Sequence, residues 1–340
     1  MKTPAYIFSK KEISESCEGI KKLLTNCDIH YAVKANSCSM VLREVFNCNL
    51  KFECASYNEV KKVINIGCPV ENIIFGLPIK SEELIKKLYS LRINYFVFDN
   101  KKELAKLIEY APNSYKILRI SVVDLDKENI PYGMKNDEIT NNKRILKEIS
   151  GISFHLSKNN NVIQILRALD RVEQILKLCD STKGKIVNIG GGFCKDTSKM
   201  FYEVMNKKLE YLINKYNVKI YAEPGKWIVN TAGIFLTTVL MIKNRGKFWD
   251  LYIDGGRPNG INRIVGSNRI VNLTSQDYNL QKKMYRIVDT TCLHSIIGII
   301  KTDMVIREGD ILGFKECGAY TKVYENEFHL WDKSQVILGE

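Results

Sequence analysis

The residues able to do covalent chemistry stand in short, separated clusters. Lys34 closes an apolar run in "IHYAVKANS", residues Ile29 to Ser37. A lysine is rarely buried without a partner. Withdrawn from water beside other cations, its amine loses its proton more readily and can form a Schiff base with a carbonyl. Three consecutive glycines, Gly190, Gly191 and Gly192, can bring backbone N–H groups close to a phosphate, helped by the N-terminus of a following helix. Glu223, in "AEPGKW", can pair with a protonated ring nitrogen and so strengthen an electron sink. His155, in "SFHLSK", can stack on a flat ring. Taken singly, each also reads as ordinary structure: a strand-end lysine, a flexible glycine turn, a helix-cap carboxylate, a satisfied core histidine.

What could place these groups together is an alternation of short apolar runs with amphipathic stretches. It occurs eight times. The candidate strands are His30–Lys34, Leu50–Cys54, Asn72–Phe75, Asn94–Phe98, Lys116–Val122, Gly151–Leu156, Lys185–Ile189 and Val218–Glu223. The helix-like segments between them are Met40–Phe46, Tyr57–Ile66, Ser81–Leu91, Lys101–Tyr110, Asn136–Glu148, Asn161–Cys179 and Lys199–Tyr216. Most of the strands are apolar throughout, the pattern of parallel strands buried on both faces. The arrangement predicts a (β/α)8 TIM-like barrel over 24–232, with its chemistry at the C-terminal strand ends. Lys34, Glu53, Asp99, Arg119, His155, the three glycines and Glu223 all fall at that rim. A phosphate site, an amine for an aldehyde, a partner for a flat ring and a partner for a ring nitrogen together describe pyridoxal 5′-phosphate. After residue 233 the pattern changes to short β-rich runs separated by Gly, Asn and Asp, which predicts a second, all-β domain. Residues 1–23 and 233–340 are assigned to it, because Pro4–Ser9 also reads as a strand.

The bulk composition narrows the function classes. The chain of 340 residues is 45% hydrophobic and 26% charged, an ordinary globular balance. No apolar run is long enough to cross a bilayer, and the N-terminus lacks a signal-peptide core; the reading is cytoplasmic, with no membrane partner. Ten cysteines without a CxxC pair, and four histidines outside any metal-ligand spacing, give no disulfide framework or metal site. The net charge of +13 raises the question of nucleic acid. However, the lysines are scattered among glutamates, as in "KSEELIKKL". A solvated basic surface with no nucleic-acid partner is the reading adopted, and a field favouring an anionic substrate is the residual alternative.

Seven segments in order then carry a family resemblance. They are "YAVKAN", "FECASYNEV", "SFHLSK", "NIGGGF", "AEPGKW", "VDTTC" and "REGDILGFKECGAYT". Over nearly the whole chain the sequence resembles the fold-type III pyridoxal-phosphate decarboxylases, the group of ornithine and diaminopimelate decarboxylases. The resemblance implies that Lys34 binds the cofactor's aldehyde and that His155 stacks on its ring. It implies that Gly190, Gly191, Gly192, the backbone near Gly225, and Tyr320 hold the phosphate, and that Glu223 meets the pyridine nitrogen. Glu53, Glu59 and Arg119 would line the pocket. Cys292, otherwise read as a small buried residue, would come from the other subunit of a homodimer and protonate the carbanion left by decarboxylation.

The chain departs from that family at the substrate end. The acidic residue usual after the cysteine is replaced by Leu293, followed by His294. The serine of the histidine motif is replaced by Lys158, and the arginine of the EPGR motif by Lys226. Gly266 and Ser267 stand where an acidic substrate-binding residue is expected. Lys158 and Lys226 can still neutralise a phosphate; His294, Ser267 and Phe328 are the substrate-binding candidates. The expected function is removal of the α-carboxylate from an amino acid or amino acid conjugate in a specialised biosynthetic pathway. An ordinary ornithine, lysine or diaminopimelate decarboxylase is the first alternative. A racemase, which "GGGF", "EPGKW" and "DTTC" disfavour, and a non-catalytic binding regulator, which Lys34 and Cys292 disfavour, complete the set.

Overall fold

The computed structural model describes residues 2–122, 131–142, 144–158, 161–179, 185–262, 266, 269–293 and 296–340. Two compact units divide the chain, Ser16–Trp227, and Met1–Glu15 with Ile228–Glu340, where the sequence places the divisions at 24 and 232. Strand β1 (Ala5–Ser9) leads into helix α1 (Lys10–Leu23). The sequence reading places that segment in the β domain, whereas the larger unit takes it from Ser16 onward. Its buried Ile13, Cys17 and Ile20 recur at helical spacing and give it an apolar stripe.

The larger unit is a closed parallel barrel of eight strands. These are β2 (Cys27–Ala32), β3 (Lys51–Cys54), β4 (Ile73–Phe75), β5 (Tyr95–Phe98), β6 (Tyr115–Arg119), β7 (Gly151–Ser153), β8 (Ile186–Asn188) and β9 (Lys219–Ala222). Register pairs such as Ala32 with Glu53 and Asp28 with Tyr221 run round the ring and close it. The interior is packed, with Ile74, Val97, Ile117, Ile186 and Tyr221 in one buried cluster. Between the strands lie α2 (Ser39–Asn47), α3 (Tyr57–Asn65), α4 (Glu82–Ser90), α5 (Lys101–Tyr110), α6 (Asn136–Thr140), α7 (Ile145–Glu148), α8 (Val162–Leu178) and α9 (Lys199–Tyr216). The Ser56, Ser81, Asn100, Asn161 and Ser198 side chains each accept from a backbone N–H in the first turn of the following helix, which fixes where α3, α4, α5, α8 and α9 begin.

Two expectations need correction. The segment Asn136–Glu148 is not one helix: α6 ends at Thr140 with Asn141 as its C-cap, within an asparagine-rich stretch that favours helix ends over helix interiors. The first barrel strand is not His30–Lys34. It starts at Cys27, which pairs with Ile220, and stops at Ala32; Val33–Ala35 form a 3-10 turn. The Tyr31 hydroxyl donates to the Asn36 carbonyl at 3.0 Å, holding that turn to its own strand.

The smaller unit is an eight-stranded sheet. It adds β10 (Gly233–Asn244), β11 (Trp249–Ile253), β12 (Ile270–Asn272), β13 (Tyr278–Val288), β14 (Ile296–Met304), β15 (Ile311–Phe314) and β16 (Gln335–Gly339) to β1; α10 (Lys226–Val229) precedes β10. The N-terminal strand joins this sheet as expected, antiparallel to β10 with Ile7 opposite Ile234 and parallel to β16 with Ile7 opposite Ile337. Among the described residues no helix is long and apolar enough to cross a membrane.

Candidate active site

The barrel rim gathers the predicted groups, but mostly on turns just past the strands. Lys34 is exposed on the 3-10 turn after β2. Glu53 lies within β3 and is buried. Arg119 is the last residue of β6, with its guanidinium 5.3 Å from the centre of the Tyr132 ring. His155 follows β7, the three glycines follow β8, and Glu223 follows β9. Gly225 packs onto the first strand's end, where an added Cβ would lie 2.8 Å from the Ala35 Cβ.

Asn188, the fully buried last residue of β8, organises one side of this rim. Its Nδ2 donates to Glu223 Oε1 at 2.6 Å and its Oδ1 accepts from Gly190 N at 2.9 Å. Gly191 N donates to His155 Nδ1 at 3.2 Å, which places a neutral imidazole's proton on Nε2. The Glu223 N–H donates to the Gly190 carbonyl at 2.7 Å. Gly190 has φ +66° and an added Cβ there would overlap the Phe154 carbonyl, so this turn requires glycine. The ends of β7, β8 and β9 are thereby tied into one piece. In the sequence Asn188 is marked only as an amide at the end of an apolar strand, in "NIGGGF".

The electrostatics of the rim are unusual for carboxylates. Burial, then the charge of Glu53, pushes the Glu223 carboxyl up to about 7, against the opposing pull of Lys34, the Asn188 hydrogen bond and Arg119. Glu53 Oε2 is buried without a hydrogen-bond partner among the described residues. Its other oxygen is admitted by Gly76, where an added Cβ would overlap Oε1; the sequence offered only a glycine after an apolar run. Two lysines flank the glycine turn. Burial raises the Cys194 thiol, and Lys226 and Lys158 both oppose that rise, while the thiol reaches the Gly192 carbonyl at 3.6 Å. Asp99 accepts from Gly133 N at 3.0 Å and anchors a neighbouring loop. Glu59 accepts from Ala55 N at 2.6 Å while Ser56 caps its own N–H, so it also serves the start of α3.

The remaining candidates belong to the β unit. Cys292 is exposed, which overturns its reading as a buried small residue: it follows a turn in which Thr291 N–H and Oγ1–H both bond Asp289. Leu293 and Phe328 line one cavity. Tyr320, with φ +54°, lines another together with Gly260, Arg269 and Cys317. Ser267 and His294 lie outside the described residues.

Fold and rim together define a (β/α)8 barrel built to handle an anion, an amine and a buried carboxylate pair at one mouth. Residues 10–230 match the family model "Pyridoxal-dependent decarboxylase, pyridoxal binding domain", and the chain belongs to that family. It is 24% identical to the chloroplastic ornithine decarboxylase of Nicotiana glauca, over 99% of this chain and 83% of that protein. It is equally 24% identical to the diaminopimelate decarboxylase of Aquifex aeolicus, over 99% and 87%. Among solved structures, the Paramecium bursaria Chlorella virus arginine decarboxylase bound to agmatine superposes with TM-score 0.89 at 24% identity, covering 100% of this chain and 98% of that one. The lysine/ornithine decarboxylase of Vibrio vulnificus complexed with cadaverine gives 0.87 at 22%, covering 99% and 95%. The protein is thus a pyridoxal-phosphate-dependent carboxy-lyase of the amino acid decarboxylase family. The rim fits that cofactor: it offers an amine on the turn after the first barrel strand, a glycine turn flanked by two lysines, and buried carboxylates of which Glu53 has an oxygen to spare.

Proposed function

We propose that this protein decarboxylates an amino acid or amino acid conjugate other than a simple diamino acid, in a specialised biosynthetic pathway. The observation that carries this reading is the exposed apolar Leu293 on a cavity wall beside Phe328, in place of the family's acidic grip. Among the described residues lining that wall there is no carboxylate to meet a cationic side chain, and hydrogen-bonded or ionic recognition is what separates close substrates.

The roles follow from the geometry and the resemblance. When bound, pyridoxal 5′-phosphate supplies an aldehyde that condenses with amines and a ring that accepts an electron pair. Lys34 Nζ would be the amine that holds it. Gly190–Gly192 and the backbone at Gly225 would receive the phosphate, with Lys158 and Lys226 to balance its charge; the resemblance adds Tyr320 to that role. Glu223, oriented by Asn188, would be the partner of the ring nitrogen. That cation would draw the Glu223 carboxyl back towards its charged form, the reverse of the effect of Glu53. His155 presents its ring face, held by Gly191 N–H. Arg119 and Glu53 complete the pocket wall. Cys292 Sγ delivers a proton to the α-carbon after carbon dioxide leaves, from the second copy in a homodimer.

The test is carbon dioxide release from the purified holoenzyme with ornithine, lysine, arginine, diaminopimelate and carboxylated polyamines, beside larger conjugates. Little turnover of the free diamino acids, with cofactor bound on Lys34, is expected. Efficient, saturable turnover of ornithine or diaminopimelate would restore the ordinary decarboxylase named by the relatives.

A further inference from the structure

Asn188 ends β8 and is fully buried. Its backbone is pinned on both sides. It lies opposite Ser153 of β7 and Tyr221 of β9, and its carbonyl accepts the Phe154 N–H at 3.1 Å. The side chain is committed at both of its ends. The Gly190 N–H can only donate, so the atom facing it at 2.9 Å is the amide oxygen; the amide nitrogen is thereby turned onto Glu223 Oε1 at 2.6 Å. The Glu223 N–H returns to the Gly190 carbonyl at 2.7 Å. Three hydrogen bonds close a ring through Asn188, Gly190 and Glu223, all within the barrel unit.

Supporting the glycine turn needs only the first of these bonds, and a carboxylate at 188 would accept from Gly190 N as well as an amide does. The bond to Glu223 needs a donor. Around that carboxyl, Glu53 from β3 adds a like charge, while Lys34 from the turn after β2 and Arg119 from the end of β6 add opposite ones. His155, after β7, accepts the Gly191 N–H. An acid at 188 would set a third carboxyl into this buried cluster, and it could not stay ionised beside an ionised Glu223. An amide donates at every pH; a carboxyl donates only while it holds its proton.

We propose that Asn188 is a positioning residue for the decarboxylation, a donor at every pH that holds Glu223 for the ring nitrogen and ties it to the glycine turn that takes the phosphate. One side chain then sets both ends of the cofactor site. No second acid competes with Glu223 for its proton, so that carboxyl is left to answer the charge of the ring nitrogen. The proposal rests on the reading of Glu223 as the ring nitrogen's partner.

The isosteric change Asn188→Asp, beside Asn188→Ala and Glu223→Gln, tests it with and without the cofactor. In the apo Asn188→Asp protein the fold keeps a proton between the new acid and Glu223 that the unfolded chain releases, so stability goes on falling as pH rises. The wild-type carboxyl has completed that fall by about 7. The difference in melting temperature between wild type and Asn188→Asp should therefore widen by several degrees between pH 7 and pH 9. A constant difference overturns the inference. For the holoenzyme, Kd for pyridoxal 5′-phosphate is read at pH 7.5 from the protein-bound absorbance. Asn188→Ala should raise it about tenfold or more, while Asn188→Asp, a donor as long as it is protonated, should stay within about threefold of wild type. Equal Kd values for the two variants overturn the inference, because the donor would then have no part in cofactor binding. Should Asn188→Ala fail to fold, the apo melting of Asn188→Asp decides. Glu223→Gln separates this inference from the reading beneath it. An unchanged Kd and absorbance there, beside a widening apo difference, overturns the ring-nitrogen reading and with it the cofactor half of the inference.

Discussion

At Lys34 one amine sits on a tight turn directly after a rigid strand, with the charges of Glu223 and Glu59 in reach. Lys34→Ala is expected to abolish the cofactor's protein-bound absorbance band and lower carbon dioxide release by about a thousandfold or more. Cys292→Ala should leave that band intact and slow product formation; an unchanged rate would remove Cys292 from the chemistry. Glu223 gives a pH-dependent prediction. Its carboxyl is raised to about 7 by burial and by Glu53, so the fold favours its neutral form. Above the ordinary carboxylate pKa the apo protein therefore loses stability as pH rises, until about 7. Glu223→Gln should raise the apo melting temperature at pH 8, by on the order of 1–2 kcal/mol of stability, with little change at pH 4. A gain confined to pH 4 would reverse the sign and sink the argument. Residue types and order made Lys34, His155, the glycines and Glu223 legible before any fold was known. Asn188 and Gly76 were not legible, because their importance lies in what a neighbouring strand places against them.

At the scale of elements, capping residues and apolar spacing were readable: α5 and α9 have the bounds expected from sequence. The strand ends were not. An apolar run such as "IHYAVK" does not say where the hydrogen-bonded ladder stops, because that depends on the register with the neighbouring strands. α8 and α9 carry a link no periodicity reveals. Glu173 accepts from Lys208 at 2.8 Å, Tyr211 at 2.8 Å, Tyr216 at 3.0 Å and Lys215 at 3.2 Å. Burial alone would raise this carboxyl, but those donors hold it well below the usual range. A depressed carboxyl contributes stability that is present above its ordinary pKa and is lost as pH falls below it. Glu173→Gln is thus expected to cost about 2–3 kcal/mol at pH 7 by urea unfolding, and less at pH 3. An equal cost at both values would mean that packing, not charge, holds the two helices.

At the scale of the whole molecule, two consequences can be measured. If Cys292 serves a second copy's Lys34, mixing Lys34→Ala with Cys292→Ala protein should restore about a quarter of wild-type activity, since half of the random dimers carry one intact site of two. No recovery after subunit exchange would argue for sites completed within one chain. The net charge of +13 should also draw an anionic substrate, so its KM should rise as salt increases from about 0.05 to 0.3 M. A KM indifferent to salt would confine the charge to solubility.

Strand–helix alternation and the seven motifs in order determined the barrel, the sheet-rich second unit, the cofactor and the reaction class, because burial on both faces and covalent chemistry both constrain residue type directly. Tertiary structure alone decided three things. It put Lys34 on a turn rather than in a strand. It raised Glu223 through burial and a carboxylate from another strand. It brought Arg257 onto one cavity with Leu293 and Phe328, from positions far apart in the chain. Each depends on contacts between distant segments, and a linear sequence specifies such contacts only through the folded chain.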